Sequence, residues 1–166
     1  MQRVAVVGLL AAGKTTLALA LGKASGLEVL HIDGMFLRPD GGLMTAADRQ
    51  AKLDSVLNKP EYIFEGAHGW TFGPRIARCD TVIWMDLGIV RRALNAFRRR
   101  SKKFQAQRVT VARLRSGVRF WGWFFLSYGE ERKALLAALA NRPDSVRLVH
   151  LRSLAEGQAF LDSLRH

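Results

Sequence analysis

The chain has 166 residues, 49 % of them apolar, which fits one domain with a buried core and excludes wholesale disorder. No uninterrupted apolar run approaches the roughly 18 residues of a membrane-spanning helix; the lone Cys79 excludes an internal disulfide framework and a cysteine-rich zinc site, and points to a reducing, cytoplasmic setting. The net charge of +12 is regional: residues 1–90 hold 9 basic and 9 acidic side chains, whereas residues 91–133 hold 13 basic and 2 acidic, a concentration that calls for a polyanionic ligand.

Arg3–Val7 is β-branched and predicts a strand ending at Gly8, and Lys14–Ala24 predicts a helix stopped by Gly26. Glu28–Ile32 reads as a second strand, and residues 35–44, with Pro39 and Gly41-Gly42, as a loop. Thr45 caps a helix over Ala46–Leu57, with Asp48 three residues on, and Pro60 follows it. Tyr62–Glu65 is the third strand, followed by a glycine-spaced segment through Gly66, Gly69 and Gly73. Thr81–Asp86, continuously apolar over Val82–Met85, is the fourth strand and reads as fully buried. The basic region 88–141 is helical in character, with breaks expected near Gly117 and Gly129. Ser145–Leu151 is a fifth strand and Leu154–Leu164 a closing helix. Strands alternating with helices predict an α/β domain with a parallel sheet.

Gly8-Leu-Leu-Ala-Ala-Gly13-Lys14-Thr15 fits G-x-x-x-x-G-K-[ST], the pattern of a phosphate-binding loop (P-loop, or Walker A), and lies between a predicted strand and a predicted helix. A chance match in this length is on the order of one in two hundred. Glycines let the backbone wrap a phosphate with its N–H groups inward, and the helix N-terminus adds its positive dipole end. Gly8, Ala11, Ala12 and Gly13 would form the cradle, with Lys14 on the β- and γ-phosphates of ATP. Thr15 would ligate Mg²⁺, and Thr16 would touch the α-phosphate.

With these residues the sequence resembles the small P-loop kinases, the adenylate kinase-like and shikimate kinase-like group. Within it the chain is most similar to bacterial proteins labelled topology modulation protein. The similarity runs over nearly the whole chain: GLLAAGKTT at 8–16, HIDGMFLRP at 31–39, YIFEG at 62–66, PRIARCDTVIWMDL at 74–87, the arginine helix, RFWGWFF at 119–125 and VRLVHLRS at 146–153. The resemblance implies a three-layer P-loop NTPase sandwich around a five-stranded parallel sheet of order 2-3-1-4-5, and transfer of the ATP γ-phosphate to a small acceptor. Ala11 stands where the group usually has Gly, and Glu65-Gly66 where it more often has Asp-Gly.

Three carboxylates, Asp33, Glu65 and Asp86, fall at predicted strand ends, where ligands of parallel sheets collect. By resemblance Glu65 is the Mg²⁺-side acid and Asp33 the acceptor-side one; salt-bridging to a lid arginine and initiation of the Asp-Gly turn are the respective alternatives. Asp86 reads first as a helix N-cap. Arg38 and Arg75 are acceptor-side candidates with Arg78 behind them, because a guanidinium fork orients phosphate or carboxylate. His31, inside a strand, reads as a core residue.

By the same resemblance the basic block 91–133 is a lid, with Arg98, Arg99 and Arg100 as candidates for the ATP phosphates. Helical spacing splits its charge over two faces, so part of it is solvated or serves another anion. Phe120-Trp-Gly-Trp-Phe-Phe-Leu126 gathers five of 15 aromatics, and positions 120, 121, 124, 125 and 128 form a helical stripe. Core or dimer packing explains the stripe first, base stacking second and a membrane-interface anchor third. The leading reading is an ATP·Mg²⁺-dependent phosphotransferase, monomeric or homodimeric. The rival is a nucleotide-dependent nucleic-acid-binding protein using the basic block.

Overall fold

A computed structural model describes residues 1–105 and 111–164, without the side chains of Asp33, 100–105, 111–120, Trp123, Phe125 and Ser127. Five strands, β1 (Arg3–Gly8), β2 (Val29–His31), β3 (Tyr62–Glu65), β4 (Thr81–Met85) and β5 (Arg147–Leu151), form one sheet of order β2-β3-β1-β4-β5. Every pairing is parallel, with Val6 level with both Glu65 and Ile83, and His31 level with Glu65. This is the order the resemblance implies. It brings the carboxyl ends of β2, β3 and β1 side by side, and the P-loop leaves from β1, between β3 and β4.

Alternation along β1 sorts its side chains into two cores. Val4 and Val6 pack with Leu17, Ala18 and Leu21 of α1 (Lys14–Ser25) and Leu161 of a later helix. Ala5 and Val7 face the other way, onto Phe72, Ile76, Leu135 and Leu139. A third cluster sets Leu53, Val56 and Leu57 against Tyr62 and Phe64. Helices therefore cover both faces, as a parallel sheet requires.

After β2 the chain makes one short turn of helix, α2 (Ile32–Met35), so the second strand is shorter than expected. A bridge between Leu37 and Leu43 closes a tight loop before α3 (Ala46–Leu57). Thr45 Oγ1 accepts from the Asp48 N–H at 3.2 Å, the cap the sequence predicts. Beyond β3 the glycine-spaced segment contains a 3₁₀ turn at Gly69–Thr71 and a helix, α4 (Phe72–Arg78), where no helix was expected. The basic region forms α5 (Ile89–Gln105) and α6 (Val111–Ala140), and α7 (Leu154–Asp162) closes the chain.

The expected breaks near Gly117 and Gly129 are absent: α6 runs through both. An interior glycine costs a helix only about 1 kcal/mol against alanine. Burial of Phe124, Leu135 and Leu139 on one side of α6 outweighs that cost.

Candidate active site

β1 enters the P-loop at Gly8, whose φ of 146° is open to glycine and whose Cβ, if present, would meet the Met85 carbonyl oxygen at 2.5 Å. Any side chain there separates β1 from β4. The Ala12 N–H donates to the Leu9 carbonyl at 3.2 Å, and Ala12 itself is packed behind the loop. Gly13, at φ 88°, delivers the chain into α1.

Lys14 is 8 % exposed, and its Nζ donates to the Leu9 carbonyl at 2.9 Å. The loop borders a cavity of about 470 Å³. Gly13, Lys14, Thr15, Thr16, Glu65, Asn95, Arg98 and Arg99 all line it. That volume falls in the range of about 300–1,000 Å³ typical of small-ligand sites. The loop, the strand-end carboxylate and two arginines of the basic helix thus share one space.

Glu65 is 3 % exposed at the end of β3. Its Oε2 accepts from the Thr15 hydroxyl at 3.2 Å, and its Oε1 accepts from His31 Nδ1 at 2.6 Å. The parallel register sets His31 level with Glu65. His31 is therefore a half-exposed side chain at the sheet's carboxyl end, where a core position was expected, because β2 stops there. A carboxylate and a hydroxyl are hard oxygen donors, which suits Mg²⁺ held by one or two protein oxygens together with substrate phosphates. The residues present fit that ion.

α5 reaches the loop from outside. Arg92, 2 % exposed, donates through Nε to the Leu10 carbonyl at 2.8 Å, and Asn95 Nδ2 donates to the Ala11 carbonyl at 3.1 Å. Ala11 has φ 62°, so the loop holds a left-handed turn without glycine, and the Asn95 bond helps fix it there. The Arg92 guanidinium lies 5.2 Å from the Phe124 ring and 5.1 Å from the Tyr128 ring, a cation–π seat built by α6. That seat uses two positions of the aromatic stripe. The sequence held no signal that Arg92, among so many arginines, would turn inward.

Two acceptor-side candidates sit elsewhere. Arg75 is fully buried, and its guanidinium donates to the carbonyls of Gly66 (3.0 Å), Val6 (3.2 Å) and Phe64 (2.8 Å) while covering the Phe64 ring. It ties together the carboxyl ends of β1 and β3 from beneath, so it does not overhang an acceptor. Arg75→Met should cost about 3–5 kcal/mol of stability, because it strands buried carbonyls. Urea denaturation checks this, with Arg75→Lys recovering part of the loss. Arg38, half exposed, pairs with Asp40 at 3.4 Å on the tight loop and borders a shallow groove along α3, outside the P-loop cavity. Arg78 is bound to Asn58 at 2.7 Å. The Arg100 side chain lies outside the described residues, as does that of Asp33, whose backbone is in α2 just past β2.

Asp86 is no N-cap. It accepts from Arg132 Nη1 at 2.7 Å and His150 Nε2 at 3.2 Å, and His150 stacks on Trp84 at 4.0 Å. Burial pushes the Asp86 pKa up, but the Arg132 and His150 hydrogen bonds and charges outweigh it and hold the carboxyl below its usual range. The stability this lends is present above the unfolded carboxylate pKa of about 3.9 and is lost as pH falls through the lower folded value. Asp86→Asn should flatten the acid limb of the urea stability curve below about pH 4.

Past the ends of β2 and β3, residues missed in the sequence make an aromatic wall. Phe36 packs on His68 (5.9 Å) and Trp70 (5.3 Å), and the Arg49 guanidinium lies 5.8 Å from the Trp70 ring. Arg49 Nε is buried and meets no acceptor among the described residues. An arginine on an α3 turn carries no sequence signal that separates it from a solvated one.

No protein-family model and no curated protein matches the chain. Among solved structures it is similar to shikimate kinase from Acinetobacter baumannii in complex with shikimate, at 14 % identity and a TM-score of 0.55 over 99 % of this chain and 90 % of that one. It is also similar to an unliganded sugar kinase from a Janibacter species, at 16 % identity and a TM-score of 0.50 over the same shares. A gluconokinase from Sinorhizobium meliloti follows at 16 % identity and a TM-score of 0.48, over 99 % and 93 %. At such identities the likeness is one of fold: the chain shares with the shikimate kinase and the sugar kinase the architecture described above, a parallel sheet of order β2-β3-β1-β4-β5 covered by helices on both faces.

Proposed function

We propose that this protein is an ATP·Mg²⁺-dependent phosphotransferase that moves the γ-phosphate of ATP to a small acceptor, and that the whole chain forms one such domain with 91–133 as its lid. The observation that carries the reading is the single cavity shared by Lys14, Thr15, Glu65, Arg98 and Arg99. Phosphoryl transfer asks the protein mainly for positioning and charge, and this set supplies both. The N–H groups around Gly13 and Lys14 cradle the phosphates. Lys14 leaves the Leu9 carbonyl for the β/γ oxygens, and Arg98 and Arg99 spread the charge that develops on the transferred group.

Thr15 and Glu65 would hold Mg²⁺, with His31 fixing the orientation of the Glu65 carboxylate. Mg²⁺ held there would supply charge neutralisation at the β- and γ-phosphates. Asp33 acts on the acceptor hydroxyl. Trp70 and Arg49 form the acceptor-side wall, which suits a ring-bearing or anionic acceptor. The motifs at 31–39 and 119–125 support placing the chain with the topology modulation proteins.

The test is ADP release across a panel of nucleosides, nucleoside monophosphates, sugars and small hydroxy acids. One class should raise release well above the acceptor-free rate, and a flat panel contradicts the reading. The lid has its own readout. Saturating ATP·Mg²⁺ should slow amide exchange over 98–105 and the start of α6, because the added anion relieves repulsion among the arginines. Identical exchange in both states would remove the lid assignment.

A further inference from the structure

The nucleotide site uses only one side of α5. On the other side, Val90 is 72 % exposed, Leu94 48 % and Phe97 62 %. With Ile89, Ala93 and Trp121 of α6 they line an apolar groove of about 350 Å³. Contiguous exposed apolar surface of this kind marks an interaction site.

The two helices that line the groove, α5 and α6, carry the basic block, and the charge of that block selects the occupant. Of the 13 basic residues in 91–133, Arg92 and Arg132 are held in internal bonds, and Arg98 and Arg99 line the ATP cavity. Arg91 and Lys133 are exposed and line no part of that cavity. A second copy would cover the groove isologously, but it would bring two blocks of net charge +11 against each other. Nucleic acid would answer the charge and leave Ile89, Val90 and Leu94 without an apolar partner. An anionic phospholipid surface answers both: acyl chains take the aliphatic strip, headgroup phosphates take the arginines and lysines, and Trp121 suits the boundary between them.

We infer that the α5–α6 groove docks the protein peripherally on an anionic phospholipid surface. No helix among the described residues is long and apolar enough to cross a membrane, so the contact lies in the interface plane. It does not depend on the phosphotransfer reading, since neither Ile89 nor Val90 lines the P-loop cavity or belongs to the lid.

The experiment is flotation of the whole chain with vesicles of phosphatidylcholine alone or with about 30 mol % phosphatidylglycerol. Wild type is compared with the Ile89→Ser/Val90→Ser double variant, whose two positions line the groove and precede the lid. Wild type should float only with the anionic vesicles, with a blue shift in tryptophan emission. The double variant should bind about tenfold or more weakly, with thermal midpoint and ATP affinity unchanged. Failure of wild type to float overturns the inference. So does equal binding by the variant, which would mean that charge alone holds the protein. A wild-type dimer that the substitutions dissociate would assign the groove to a second copy. Displacement from vesicles by random-sequence duplex DNA, equal for both proteins, would assign the block to nucleic acid.

Discussion

Lys14→Ala should lower ATP·Mg²⁺ affinity by about a hundredfold or more while leaving the fold in place. The expectation follows from where the ammonium sits. Lys14 Nζ bonds the Leu9 carbonyl at the edge of the cavity. Truncation removes that neutral-acceptor bond at a cost of about 1 kcal/mol. Facing phosphate, the same ammonium makes charge-assisted bonds in a largely buried setting, and losing them removes several kcal/mol of binding. Calorimetric titration of ATP·Mg²⁺ alongside a thermal melt separates the two effects. A folded Lys14→Ala protein with wild-type ATP affinity would place the triphosphate elsewhere.

Glu65→Gln and Asp33→Asn should fail in different ways, and both should fail badly. Glu65 holds Thr15 and His31 through separate oxygens, so Glu65→Gln keeps the shape but withdraws the buried charge beside the Thr15 hydroxyl. The Mg²⁺ concentration for half-maximal rate should rise about tenfold or more, because one hard anionic oxygen has gone. Asp33→Asn should leave nucleotide and Mg²⁺ dependence near wild type and lower kcat about 10²–10⁴-fold, the range for loss of a general base. Rate measurements over an Mg²⁺ series decide it. The same defect in both variants would end this division of labour.

The frame and the phosphate loop were legible in the sequence because their signals are local. β-branched runs, the Gly13-Lys14 step into α1 and the Thr45–Asp48 cap each state a backbone conformation within a few residues. α4 was not legible. The segment through Gly66, Gly69 and Gly73 reads only as glycine-spaced, and the burial of Phe72, Arg75 and Ile76 makes its later part helical. Gly117 and Gly129 misled for the same reason, since the breaker signal is weak beside the packing of α6. The site divides likewise. Glu65 and Thr15 stand out by position, whereas the inward turn of Arg75 and Arg92 depends on carbonyls of Val6 and Leu10 that are 69 and 82 residues away in the chain. Asp86 looked like a cap until Arg132 and His150, from α6 and β5, arrived beside it.

The fate of the γ-phosphate decides whether this protein transfers a phosphoryl group. Wild type and Lys14→Ala are incubated with γ-labelled ATP, Mg²⁺ and the acceptor panel, and the labelled products are separated. Wild type should place label in an organic phosphoester with one acceptor class, and Lys14→Ala should form none. Label confined to ATP and inorganic phosphate with every acceptor would contradict it.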